Sequence, residues 1–108
     1  MTVNELMTAC NFEAVCLPEA DREVSGAYIG DLLSWVMGRA QEDNAWVTIM
    51  SNVNVIAVAS LSDVACVILA EGVNHDDELK ATAEQKGINV LKTDLPAFET
   101  AQALIGKV

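Results

Sequence analysis

Aromatic residues and basic charge are both scarce in this chain. Aromatics make up 5% of its 108 residues, and six Lys and Arg stand against sixteen Asp and Glu, for a net charge of −10. A chain so acidic repels phosphate backbones and has no basic stripe with which to release counterions, so nucleic acid is not an expected partner. The same sign argues against anionic membrane surfaces. The longest apolar run, Val64 to Ala70, is far short of the roughly 20 residues needed to cross a bilayer. No basic segment followed by an apolar stretch opens the sequence, so an export signal is not expected and a cytoplasmic location is.

Cysteine is sparse and unpatterned. Cys10, Cys16 and Cys66 are odd in number and lack Cys-x-x-Cys spacing, which argues against a disulfide framework or a zinc site and for buried, reduced thiols. With His75 as the sole histidine, no His-based metal cluster can form within one chain. Phosphate loops are absent too: the one Gly-Lys pair, Gly106-Lys107, has Ala101 where the first glycine of a Walker motif belongs. There is no Gly-x-Gly-x-x-Gly after a strand and no Gly-x-Ser-x-Gly elbow. His75 and the run Asp76-Asp77-Glu78 read as solvated groups at a helix start, where acids favour the dipole whatever the function. No catalytic residue, metal or cofactor is expected.

What is present is an aliphatic chain patterned for an α/β fold. Hydrophobic residues make up 52% of it, mostly Ala, Val, Leu and Ile, which suits buried strands covered by helices in a single domain over 1–108. Thr2-x-x-Glu5 is a capping box ahead of Val3, Leu6, Met7 and Cys10, predicting a helix that ends at Asn11. Strands are predicted over Phe12–Leu17 and over Val24–Ile29, the second interrupted by Gly26. A helix capped by Asp31 then runs to Ala40, with Leu32, Leu33, Val36, Met37 and Ala40 as its core stripe. Ala45–Met50 is the next strand. Val53–Leu61 is apolar enough for a strand, but its Ala and Ser content favours a helix behind Ser51 or Asn52. Val64–Leu69 lacks alternation, as expected of a strand buried on both faces. Asn74 is the expected cap of an acidic helix ending at Gly87, Ile88–Leu91 is a short strand, and a last helix from Asp94-Leu95-Pro96 is expected to turn Phe98, Ala101 and Ile105 inward. Strands alternating with helices imply a mostly parallel sheet in a three-layer α/β/α arrangement.

In such sheets ligands gather at the carboxyl ends of strands. The candidate ligand or partner residues are therefore Tyr28, Gly30, Asp31 and Ser34 around the first helix, Thr48, Ser51, Asn52 and Asn54 after the next strand, and Gly72 after the most buried one. Gly26 and Gly30 allow a bend or a close backbone approach. Trp35 falls roughly 60° outside the core stripe of its helix, beside Arg39. It either packs under a loop or meets another chain, and the pairing of an aromatic with Arg places Trp35 and Arg39 at an expected homodimer interface.

The run Gly26-x-Tyr28-x-Gly30-Asp31-Leu32-Leu33-Ser34 with Gly38-Arg39-Ala40 is followed by Trp46-Val47-Thr48-Ile49 and Asn54-Val55-Ile56-Ala57-Val58-Ala59. These segments, continued by Val67-Ile68-Leu69 to Gly72, Gly87-Ile88, Val90-Leu91 and Phe98-Glu99-Thr100-Ala101, resemble the short stand-alone members of the DRTGG domain family. That family looks related to the N-terminal, non-catalytic domain of HPr kinase/phosphorylase, and similar modules occur in some phosphotransacetylases and beside CBS domains in certain pyrophosphatases. The resemblance implies an α/β/α accessory domain that pairs with itself and regulates rather than catalyses. Larger relatives carry Asp-Arg where this chain has Val53-Asn54, and Thr-Gly-Gly where it has Ala70-Glu71-Gly72, so only Gly72 of those residues is kept. Two readings follow: a homodimeric module acting through protein contacts at Tyr28 to Arg39, or a sensor of a nucleotide-type effector at the strand-end loops. For the second, the shortage of cations makes a phosphate ligand awkward.

Overall fold

The computed structural model describes residues 1–108. In chain order the elements are α1 (Val3–Cys10), β1 (Glu13–Cys16), β2 (Ala27–Ile29), α2 (Leu33–Arg39), β3 (Ala45–Thr48), α3 (Asn54–Ser62), β4 (Cys66–Leu69), α4 (Asp77–Lys86), β5 (Val90–Lys92) and α5 (Ala97–Leu104). The strands form one five-stranded sheet in the order β1-β5-β4-β3-β2. β2 to β5 are mutually parallel, and β1 joins β5 antiparallel with Glu13 opposite Lys92. The expected mostly parallel α/β/α architecture is what the chain adopts.

Strand pleating sorts the core into two layers. Trp46, Val67, Leu69 and Val90 point to the side covered by α2, α3 and α4, where Val36, Val55, Ile56, Leu79 and Ala83 meet them. Ala45, Val47, Cys66, Ile68 and Leu91 point to the side of α1 and α5, against Val3, Leu6 and Leu104. The run Val64 to Ala70 is buried throughout, as its lack of alternation predicts. Because the three crossover helices between β2 and β5 share one face, each parallel strand lies one place along from the last and the parallel strands contain no reversal of order. The crevice that such a reversal opens in doubly wound sheets is missing from this part of the sheet.

Several sequence expectations shift for physical reasons. The capping box on α1 forms, with Thr2 accepting from the Glu5 amide and Glu5 from that of Thr2. The 53–61 segment is helical as expected, but Val53 occupies its cap position; Asn52 Oδ1 instead accepts from the Asn54 amide at 2.9 Å. Asp76, not Asn74, caps α4, accepting from the Leu79 amide at 2.8 Å, and Gly87 closes that helix as predicted. β2 is shorter than Val24–Ile29 because the backbone turns at Gly26, and β5 begins at Val90 rather than Ile88. The expected inward face of α5 is the wrong one: Phe98 and Ile105 are 70% and 75% exposed, while Thr100 and Leu104 are buried. Thr100 enters the core because its hydroxyl bonds back to the Pro96 carbonyl at 2.9 Å, which satisfies it without water.

Candidate functional site

Four of the candidate residues converge where β2 runs into α2. Asp31 is not the cap of α2; Leu32 holds that place without a side-chain bond. The Asp31 carboxylate reaches sideways to the end of β3, where Oδ1 accepts from Thr48 Oγ1 at 2.8 Å and from the Ile49 amide at 2.9 Å. Thr48 Oγ1 in turn accepts from the Met50 amide at 3.1 Å. One step away, the buried Trp46 ring donates from Nε1 to the Gly30 carbonyl at 2.9 Å. Gly30 gives the Tyr28 ring room, since a Cβ there would stand 2.8 Å from it and push it aside. Asp31 is thus bonded to Thr48 and the Ile49 amide, and the Gly30 carbonyl to Trp46. These bonds latch two strand ends together.

The other candidates do not join this cluster to make a pocket. Ser34, Asn52 and Asn54 are exposed, and Ser51 is half-buried. Gly72 lies elsewhere, at φ +65 in a turn with Glu71 at φ +64, and here the glycine supplies a left-handed conformation. Glu71 accepts from the Ala97 amide at 2.8 Å, placing a carboxylate on the first turn of α5.

What the latch positions is a surface. Only Val36 of α2 is buried, with Leu33 and Ala40 packed partly against the core; Leu32 and Met37, expected inside, are mostly exposed. Trp35 is 53% exposed, and the Arg39 guanidinium lies 3.9 Å from the centre of its ring. The sequence expectation that Trp35 stands off the core beside Arg39 therefore matches the geometry. Right-handed crossovers and helical spacing place Leu32, Trp35 and Arg39 on the flank of α2 turned towards β2 and away from α3. Exposed Ile29 lies on the same edge of the sheet, with its side chain on the opposite face, the one it shares with Val47.

Clefts occur at a different place. Two of them, of about 250 and 370 Å³, adjoin at the carboxyl end of β5 and share Glu13, Lys92, Thr93 and Asp94, the first also lined by Gly72 and Asn74. Of these residues only Gly72 was a sequence candidate. The rest come together because β1 returns antiparallel to β5, a pairing that no local pattern announces. Lys92 Nζ is 3.6 Å from Glu13, so the one ammonium group there already faces a carboxylate. A third cleft, of about 510 Å³ at the opposite end of the sheet, is lined by Arg22 and Lys86 among acids. Arg22 is held by Asp43 at 3.0 Å and Asp63 at 2.9 Å. Burial works to lower its pKa, but the hydrogen bonds and charges of both carboxylates outweigh this and raise it.

The site chemistry has little reactivity. Burial pushes the Cys10, Cys16 and Cys66 thiols up, Cys66 to about 12, so none is a thiolate at neutral pH. All three are free, with Cys16 and Cys66 buried and Cys10 half-buried. Nowhere do three His, Cys, Asp or Glu side chains converge as metal ligands would. No helix is long and apolar enough to cross a membrane.

The family model for the DRTGG domain matches residues 5–106. The chain is a DRTGG domain. No curated protein matches it in sequence. Among solved structures, it is similar to the CBS and DRTGG domains of the regulatory region of Clostridium perfringens pyrophosphatase, a structure complexed with the activator diadenosine tetraphosphate. The two superpose with a TM-score of 0.75 at 13% identity, over 96% of this chain and 46% of the other. The DRTGG domain described here thus spans about half the length of that regulatory region, and the likeness is one of fold.

Proposed function

We propose that this DRTGG domain is a non-catalytic, cytoplasmic regulatory module that forms a homodimer and acts through protein contacts in the Tyr28 to Arg39 region. The observation that carries this reading is the exposed apolar surface of β2 and α2. Leu32, Trp35 and Met37 face water on a helix whose only charge is Arg39, stacked on Trp35. Aromatic and Arg side chains so placed are enriched at the centres of protein interfaces. The bonds that tie Asp31 Oδ1 to Thr48 and the Ile49 amide support a structural, presenting role over a catalytic one, and kinship with the non-catalytic domain of HPr kinase/phosphorylase would fit the same duty. Sedimentation velocity at micromolar concentration tests it. A dimer that Trp35→Asp dissociates is the expected result, and a single 11.5 kDa species at every concentration would refute it.

A second reading, a sensor of a nucleotide-type effector, is supported by the paired clefts at the end of β5 and by the activator bound to the Clostridium regulatory region. Thermal unfolding with diadenosine tetraphosphate, ATP and AMP distinguishes it. A concentration-dependent rise in melting temperature, abolished by Lys92→Ala, is its expected signature, since ligand binding stabilises the folded state by mass action.

A further inference from the structure

The two edges of the sheet are finished differently. β1 carries Glu13, a register shift between Ala14 and Cys16, and Pro18 just beyond its end. Charge, bulge and proline are the devices that keep an exposed strand from pairing with another chain. β2 has none of them. Ala27-Tyr28-Ile29 is uncharged and regularly paired to β3, and both Ala27 and Ile29 are exposed.

Its free hydrogen-bonding groups can be assigned. Ala45 N donates to the Gly26 carbonyl at 3.0 Å and Gly30 N donates to the Val47 carbonyl at 3.2 Å, so the even-numbered residues face β3. By the alternation of a parallel ladder, Ala27 and Ile29 direct their amides and carbonyls outward. Beside them stand exposed Leu32 and the Trp35–Arg39 stack.

We infer that β2 is a self-pairing edge: two copies of this chain join antiparallel about a two-fold axis through Tyr28, merging their five-stranded sheets into one. This rests on the homodimer reading and specifies its geometry. In that register Ala27 of each copy lies opposite Ile29 of the other, and each such pair exchanges reciprocal N–H to carbonyl bonds, using every outward group of the strand. The two Tyr28 residues meet at the axis as a non-hydrogen-bonded pair with their side chains close.

Charge selects the occupant. The chain carries a net charge of −10, yet Val24 to Ala40 holds only Asp31 and Arg39, which cancel. A basic partner would be drawn to the acidic remainder of the molecule, and an acidic one would find Arg39 alone. A second copy brings the same neutral, apolar strip, and its repelling acids stay outside the contact.

Cross-linking tests the register. In a Cys10→Ala background, Tyr28→Cys is expected to give a disulfide-linked dimer on mild oxidation, because paired residues at a two-fold axis come within bridging distance. Ile29→Pro deletes an outward amide without touching the β2–β3 ladder, and is expected to weaken the dimer about tenfold or more while leaving the circular dichroism spectrum unchanged. If the native chain is dimeric but Tyr28→Cys stays unlinked and Ile29→Pro changes nothing, the edge pairing is wrong and the homodimer reading survives by another surface. If the native chain is monomeric throughout, both fail together.

Discussion

α3 and α4 pack side by side on one face of the sheet and meet water on opposite terms. α4 exposes Asp77, Glu78, Lys80, Glu84 and Lys86, and buries only Leu79 and Ala83. α3 contains no charged residue at all, and what it shows to solvent is Asn54, Ala57, Ser60 and Leu61, the last 73% exposed. α2, on its far side, adds Trp35, Met37 and a single charge, Arg39. The molecule is therefore divided: a charged flank that stays solvated, and a charge-poor flank whose water-facing surface nothing electrostatic protects from association. On the homodimer reading proposed above, this difference favours β2 and α2 as the contact, because the acids that would repel a second copy are gathered elsewhere.

Mutations can break this contrast or sharpen it. The largest effect is expected at Trp46, the wholly buried side chain beneath the charge-poor flank, whose indole also holds the Gly30 carbonyl. Trp46→Ala should cost about 4 kcal/mol in urea unfolding, and a loss below about 1 kcal/mol would mean that the flank is not anchored there. Trp35→Asp should weaken the dimer about 30-fold, equivalent to about 2 kcal/mol, with little change in monomer stability. Lys80→Asp on α4 provides the matched control, expected to leave the sedimentation profile unaltered.

A pH test probes the buried middle that both flanks share. Cys66 keeps its proton in the fold up to about pH 12, whereas the unfolded thiol gives it up near its ordinary value of 9.0. Above pH 9 the unfolded chain binds fewer protons than the native one, so stability is full below that point and falls as pH rises towards 12. Between pH 8 and about 10.5 the loss attributable to this thiol is expected to be about 2 kcal/mol, and Cys66→Ala should flatten that slope. The smallest effect is that of Asp31→Ala. Losing the bonds to Thr48 and Ile49 should cost about 1 kcal/mol, seen as faster amide exchange at the β2–α2 turn, with α4 unaffected.

The layered fold could be read from the sequence wherever periodicity and caps act locally. Thr2 to Glu5, the Val64–Ala70 run and Gly87 each carried their meaning within a few residues. Failures came where a distant group decided the outcome. Asp31 has the chemistry of a cap, but Thr48 and the Ile49 amide, contributed by the next strand, offer it two donors at once. On α5, Phe98 and Ile105 outrank Thr100 in hydrophobicity, yet the register of the helix on the sheet is set by Leu104 and by the self-satisfied Thr100 hydroxyl. The clefts around Lys92 were invisible because they depend on which strand β1 pairs with. Trp35 was legible because helical geometry alone moves it off the core stripe.

The strand order has a consequence for how the chain acquires its shape. From β2 to β5 each new strand lies against the one before it, so those contacts close short loops and can form in succession. β1 is the exception: Glu13 must find Lys92, about three quarters of the sequence away. Closure over that separation is entropically slow, so β1 waits, unpaired, until β5 exists to receive it, although α1 is already tied by backbone bonds to Ala20 and Arg22. On the ribosome, this makes the docking of β1 the last step of sheet assembly, after the neutral flank has already taken form.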